Sequence, residues 1–146
     1  KKYFSYCFND KKDYPAILSL KLLKKNFIFN FFRNKINIKS INVKHGSINC
    51  LAFIINGKCA YASDINEIYK KDLKYFFKLD HFVVDCLRIS PHPSHFSLKE
   101  VLNLIEIIKP KKTILTNLHS DLDYNKLLHN LPKNIKPAYD GLTLNI

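Results

Sequence analysis

Between Asp85 and Asp123 two short apolar runs each open into a polar loop that carries histidine. His81-Phe82-Val83-Val84-Asp85-Cys86 leads into Pro91-His92-Pro93-Ser94-His95, and Lys112-Thr113-Ile114-Leu115-Thr116 leads into Asn117-Leu118-His119-Ser120-Asp121-Leu122-Asp123. In open α/β sheets the loops at the carboxyl ends of strands collect ligands and catalytic groups, because neighbouring strands deliver them to one rim. Imidazole nitrogen and carboxylate oxygen bind zinc, manganese or iron, and a carboxylate readily bridges two cations. Gathered on one rim, these residues read as a metal or hydrolytic site.

The elements that must position them follow from the sequence pattern. Phe27 to Phe32, Ile36 to Lys44 and Cys50 to Tyr61 are rich in aromatic and β-branched residues, which favours strands. Asn56-Gly57 inside the last of these predicts a two-residue hairpin turn. Pairing Ile55 with Lys58 then sets Cys50 opposite Ser63 and Asn49 opposite Asp64, which brings His45-Gly46-Ser47 and Asp64 to the same open end. Ile65 to Lys78 is expected to be a helix with Ile68, Leu73 and Phe76 or Phe77 on its apolar side. Strand His81 to Cys86, helix Ser97 to Lys109 and strand Thr113 to Thr116 form a strand, helix, strand unit. Ser97 with Glu100 three residues on is a capping-box signal, and Pro110 ends the helix. Asp123 to Leu131 reads as a further helix, and Asp140-Gly141 as a closing turn.

Composition bounds the class. The chain has 146 residues, 47% of them hydrophobic, and three glycines, enough for one domain with a core and unlike a disordered segment. It contains no methionine and begins Lys1-Lys2-Tyr3, which points to a piece of a longer protein. The formal charge of +12 is nearly all lysine, Arg33 and Arg88 being the only arginines. With heavy asparagine, isoleucine and phenylalanine usage it reads as the imprint of an AT-rich genome rather than a dedicated polyanion groove, where arginine is expected. Cys7, Cys50, Cys59 and Cys86 form no Cys-x-x-Cys pair, so they are expected to be core hydrophobes in a reducing, cytoplasmic compartment. The longest apolar run, Tyr14 to Phe32, is cut by Lys21, Lys24 and Lys25, so no membrane span is expected.

Several segments together resemble a known family. Asp85-x-Leu87-Arg88, Pro91-His92-Pro93-Ser94-His95-Phe96-Ser97-Leu98, the run from Ile114 to Tyr124 and Pro137-Ala138-Tyr139-Asp140-Gly141 are similar to the C-terminal part of metallo-β-lactamase-fold hydrolases. The branch containing phosphoribosyl cyclic phosphodiesterases is the nearest. Tyr14 to Leu18, Val43-Lys44-His45-Gly46 and Ala60-Tyr61-Ala62-Ser63-Asp64 match it too, in the same order.

The resemblance implies an α/β chain spanning residues 1–146 that forms the C-terminal portion of an αββα sandwich. It implies two divalent ions, zinc or manganese, in the intact protein, with His45 the lone histidine ligand, Asp64 the bridge and His119 the late ligand. His95 falls on the family's non-ligand histidine, which contacts the phosphate and assists the leaving group, and His92 joins it in binding substrate. Two metals about 3.5–4 Å apart would lower the pKa of a water towards roughly 7 and steady both reacting oxygens, which suits a phosphodiester. The family's His-x-His-x-Asp-His loop has no counterpart in this sequence, so the 146 residues alone are expected to be inactive and to self-associate through uncovered strands.

Each residue also has a structural role open to it: His45 as a loop histidine satisfied by backbone, Asp64 as an N-cap, His92 and His95 in a turn, and His119-Ser120-Asp121 as the cap of the segment after it. His81 and His129 are expected to be structural or surface residues. The expected function is hydrolysis of a small cyclic phosphodiester, with a homodimer open. The alternatives are a nuclease resembling the tRNA 3′-processing enzymes, less favoured because no inserted basic arm is seen, and a non-catalytic remnant.

Overall fold

The computed structural model describes residues 3–146. Seven strands form one sheet in the order of the sequence: β1 (Asn26–Phe31), β2 (Asn34–His45), β3 (Ile48–Ile55), β4 (Cys59–Ala62), β5 (His81–Asp85), β6 (Lys112–Thr116) and β7 (Ile135–Pro137). The first four are antiparallel, and β4 to β7 run parallel. The change of mode follows from the connections. Short turns join the early strands, whereas β5 and β6 are linked through helix α1 (Leu98–Ile108), a crossover long enough to return the chain in the same direction. Among the described residues no helix is long and apolar enough to cross a membrane.

The predicted strands fall within two residues of the observed ones, apart from the Asn56-Gly57 hairpin, where the predicted register slips by one. Ile55 pairs with Cys59, not Lys58. Asn56 and Gly57 both take positive φ and Lys58 N donates to Ile55 O, so the tight turn forms, but Lys58 is left as an extra residue before the ladder resumes. The second correction is larger. The segment from Ile65 to Lys78 is not a helix; its only regular structure is one 3₁₀ turn at Leu73–Tyr75. Its backbone is claimed by the end of β2: Asn66 N donates to Lys44 O and Lys44 N to Glu67 O, while Ile65, Ile68 and Phe76 are buried. Tertiary pairing and burial thus override the helical spacing.

The remaining expectations hold closely. α1 starts at a capping box in which Ser97 N donates to the Glu100 carboxylate at 2.8 Å, and it ends at Lys109 in the left-handed conformation before Pro110. Helix α2 (Tyr124–Asn130) is capped by Asp123, whose carboxylate accepts from Lys126 N. Leu142 N donates to Tyr139 O and closes the turn at Gly141. β7 lies outside the predicted strands: three residues ending in proline carry almost no strand signal. All four cysteines are free, and burial pushes the Cys86 thiol up to about 12.

The two faces of the sheet differ. Ile41, Val43, Ala52, Ile54, Phe82, Val84 and Leu115 point to one side and form a core with Phe76, Val101, Ile105 and Ile108. On the opposite face the ladder aligns Phe53, Tyr61, Val83 and Ile114 in a cross-strand row, and the β1–β2 hairpin adds Phe29 and Phe31. Tyr61 and Leu51 are each 43% exposed there, and Phe29 and Phe31 more than half. An apolar face of that extent favours association. The 146-residue chain is therefore expected to self-associate as its concentration rises in sedimentation velocity runs. A Phe29→Ser/Phe31→Ser/Tyr61→Ser variant should remain monomeric. A wild-type chain that stays monomeric throughout would remove that role for the face.

Candidate metal centre

The carboxyl ends of β2, β4 and β5 converge on one rim. His45 is the last residue of β2, Asp64 follows β4 by two residues, and His95 lies on the loop after β5. One ligand atom from each lies within 4.8 Å of the other two. The His45 and His95 rings meet edge to face at 4.6 Å, and His92 approaches His95 at 5.2 Å. No helix begins at Asp64, so its N-cap role does not arise.

Both histidines of the group are oriented through Nδ1. His45 Nδ1 lies 2.7 Å from Ser94 O, an acceptor only, which fixes the proton on Nδ1 and leaves Nε2 with its lone pair. His95 Nδ1 lies 2.5 Å from Oδ2 of Asp85, a fully buried carboxyl at the end of β5. Such a partner sets the imidazole's orientation. Burial drives the Asp85 pKa above the ordinary carboxylate value, against the opposing pull of His95, Ile65 and Asn117; Oδ1 has no hydrogen-bond partner of normal geometry among the described residues.

The two loops are held together by groups that periodicity does not reveal. Asn66 accepts from Gly46 N at 3.0 Å and donates to Pro93 O at 3.1 Å, so one side-chain amide ties the His45 loop to the His95 loop. Gly46 has φ +62°, and a Cβ there would meet Ser94 Cβ at 3.0 Å. Only glycine supplies both that conformation and that close approach. Asn117 Nδ2 donates to Ser63 O, which ties the β6 loop to the residue before Asp64. The His-rich motifs are legible in the sequence; Asn66, Asp85 and Asn117 do not stand out there for these roles, the available signal being a polar residue flanking each motif.

The other expected site residues lie differently. His119 is not in the three-residue group: its ring is exposed, and Nδ1 sits 3.2 Å from Asp121 Oδ1 on its own loop. Asp121 also accepts from Ile89 N, and His119 N donates to Leu87 O, which joins the β5 and β6 loops. His92 Nδ1 accepts from Ser94 N and faces Ser94 Oγ, both at 3.3 Å. Its pKa is lowered by desolvation, then by its neighbours Arg88, His95 and His45. His129 caps a carbonyl within α2, at 2.6 Å from Asn125 O.

Two imidazoles with free Nε2 atoms beside a carboxylate make a donor set suited to a divalent transition-metal ion. His45 and Asp64 would supply ligands to such an ion, with the His95 imidazole beside them.

No family model matches the sequence, and no curated protein matches it. Among solved structures the chain is similar to a diphosphatase of the PhnP family, at 27% identity and a TM-score of 0.76, covering 85% of this chain and 47% of that one. It is also similar to the metallo-β-lactamase fold protein YhfI from Bacillus subtilis (12% identity, TM-score 0.59, 82% and 53% covered). A third is Zn²⁺-bound PqqB from Methylobacterium extorquens (12% identity, TM-score 0.64, 85% and 55% covered). The chain has the metallo-β-lactamase fold, and it spans about half the length of these structures.

Two tests address this site. Gly46→Ala should cost about 1–3 kcal/mol in urea unfolding, since it forces a left-handed backbone and a clash with Ser94; an unchanged midpoint would show that the loops are not held by this approach. Asp85→Asn tests the buried charge. Because the folded-state pKa of Asp85 lies above its unfolded value, the folded state holds the proton more tightly, so stability is given up as pH rises from the ordinary carboxylate range through the raised value. The melting temperature of the Asn variant relative to wild type should therefore increase from pH 4 to pH 7; a difference that falls instead would reverse the assignment.

Proposed function

We propose that the chain supplies the acid/base group and part of the metal-ligand set of a metal-dependent hydrolase of small phosphodiesters, of the phosphoribosyl cyclic phosphodiesterase type. The observation that carries this reading is the juxtaposition of His45, Asp64 and His95 on one rim, with His95 backed by buried Asp85. The likeness to a PhnP-family diphosphatase points to the same class of phosphorus ester chemistry.

His45 and Asp64 would hold a divalent ion, zinc or manganese. In the intact protein His119 would serve a second ion from the neighbouring loop, its Nε2 left free by the Nδ1 contact to Asp121. A bound ion supplies Lewis-acid polarisation of a phosphoryl oxygen. The chain's own part is proton delivery. His95 keeps one proton on Nδ1 against Asp85, and when protonated on Nε2 it presents a donor to the departing ester oxygen. Asp85 holds the ring in one orientation for that transfer. His92, 5.2 Å from the His95 ring, stands beside it to bind the substrate phosphate by hydrogen bonding. Its lowered pKa keeps it neutral to lower pH, which favours hydrogen bonding over ion pairing at neutrality. A cytoplasmic location and a homodimer accord with the free cysteines and the uncovered sheet face.

The test uses the full-length protein that contains these residues. His95→Ala should lower turnover of a small cyclic phosphodiester by about a hundredfold or more while divalent metal content is retained, and Asp85→Asn should lower it comparably with little change in KM. Chelation should abolish turnover, and zinc or manganese should restore it. A full-length protein that binds no divalent ion would end this reading. Turnover insensitive to added salt would separate the small-ester activity from a tRNA-type nuclease, whose grip on a polyanion weakens steeply with salt.

A further inference from the structure

At the far end of the sheet from the histidine rim, the β1–β2 hairpin and the loop leading into β5 line an open groove of about 1000 Å³. Lys39 on its wall is six residues before His45 on β2, about 20 Å away along an extended strand. The groove is separate from the candidate metal centre.

The ladder fixes which side chains share its wall. Asn26 pairs with Lys39 and Lys39 with Ile54, while Ile28 pairs with Asn37, so these five stand on one face of the hairpin and its neighbour. Phe77, Leu79 and Tyr75 line the groove from the opposing loop, and Lys24 and Lys74 also border it. The result is an apolar floor of Ile28, Ile54 and Leu79 with ammonium groups above it.

The charge is the informative part. Lys39 Nζ lies 4.1 Å from the centre of the Tyr75 ring, and Lys74 Nζ lies 5.3 Å from the same centre. One aromatic ring therefore gathers two like charges at the groove. Among the described residues none of Lys24, Lys39 and Lys74 is within ion-pair distance of a carboxylate, and the groove lining contains no Asp or Glu. The surrounding chain offers little compensation: no acidic residue occurs between Asp13 and Asp64. Two ammonium groups at one ring without a counter-charge suit a phosphate dianion, for which lysine acts as a point charge. The side-chain amides of Asn26 and Asn37 have no hydrogen bond among the described residues, and each offers a donor and an acceptor beside the apolar floor. Such a pairing of polar edges with an apolar surface suits a planar heteroaromatic ring. A volume of this size is at the upper end for small-molecule pockets.

We propose that this groove is a second ligand site, for a nucleoside monophosphate, with the phosphate between Lys39 and Lys74, the base over Ile28, Ile54 and Leu79, and its edge read by Asn26 and Asn37. The site does not depend on the chemistry assigned to His45, Asp64 and His95.

Calorimetric titration with AMP tests it. Saturable one-to-one binding is expected, with inorganic phosphate and adenosine each weaker by about tenfold or more, because neither engages both halves of the groove. A Lys39→Gln/Lys74→Gln variant, with its melting temperature checked against wild type, should bind AMP about tenfold more weakly or worse, and Lys39→Arg/Lys74→Arg should recover part of the loss. His45→Ala should leave AMP affinity unchanged. No saturable AMP binding, unchanged affinity in the Gln variant, loss of AMP binding in His45→Ala, or phosphate binding as tightly as AMP would each overturn the assignment. So would displacement of AMP by an RNA oligonucleotide of far higher affinity, which would make the groove part of a polyanion surface.

Discussion

A carboxyl group with no exposed surface is costly unless something fixed answers it, and Asp85 is such a group. It closes β5 in the middle of the parallel half of the sheet, and its Oδ2 partner is His95 Nδ1. Desolvation of a carboxylate costs several kcal/mol even after relaxation, so a fold that keeps one there must hold the imidazole in place. The loop after β5 does this with backbone: Leu87 N donates to Phe96 O, Phe96 N to Ile65 O and Leu98 N to Arg88 O. Phe96, the residue next to His95, takes part in two of these bonds, and α1 begins at once behind it with its capping box. The histidine is oriented before any ligand arrives.

From that pair the rest of the rim is built. Ser94, next to His95, offers its carbonyl to His45 Nδ1, and Gly46 admits Ser94 only because it lacks a side chain. Asn66 then spans both loops. Three chain segments far apart in sequence are thus locked by backbone groups, so the functional nitrogens are aimed through contacts that tolerate few substitutions. That also explains why the segment after Asp64 abandons the helix its spacing suggests. Asn66 and Glu67 are needed against β2, and a helix would have carried their backbone groups away.

What the sequence makes legible divides along the same line. Strands β1 to β6, both α-helices and their caps depend on local pattern and are readable. The hairpin register is off by one because a turn signal does not announce the extra residue that Lys58 becomes. β7 and the irregular segment after Asp64 depend on long-range pairing, which a single sequence does not display. In the site, residue types in family order point to His45, Asp64 and His95, which the fold gathers, and to His119, which it leaves on the adjacent loop facing Asp121. Asn66 and Asp85 are invisible as positioning groups because their partners are backbone atoms and a ring contributed by other segments.

The sheet also separates its chemistry by end. Parallel strands β4 to β6 all point their carboxyl ends at the histidine rim, where acidic residues and imidazoles meet. The opposite end, reached by the extended β1–β2 hairpin, carries lysine and aromatic residues without a carboxylate in its groove. Since β2 contributes to both ends, His45 at its last position and Lys39 near its middle, a single twelve-residue strand connects them. Its central residues Ile41 and Val43 are fully buried and admit little play. The two ends are therefore held at fixed separation by a rigid element, while each presents its own kind of charge to solvent.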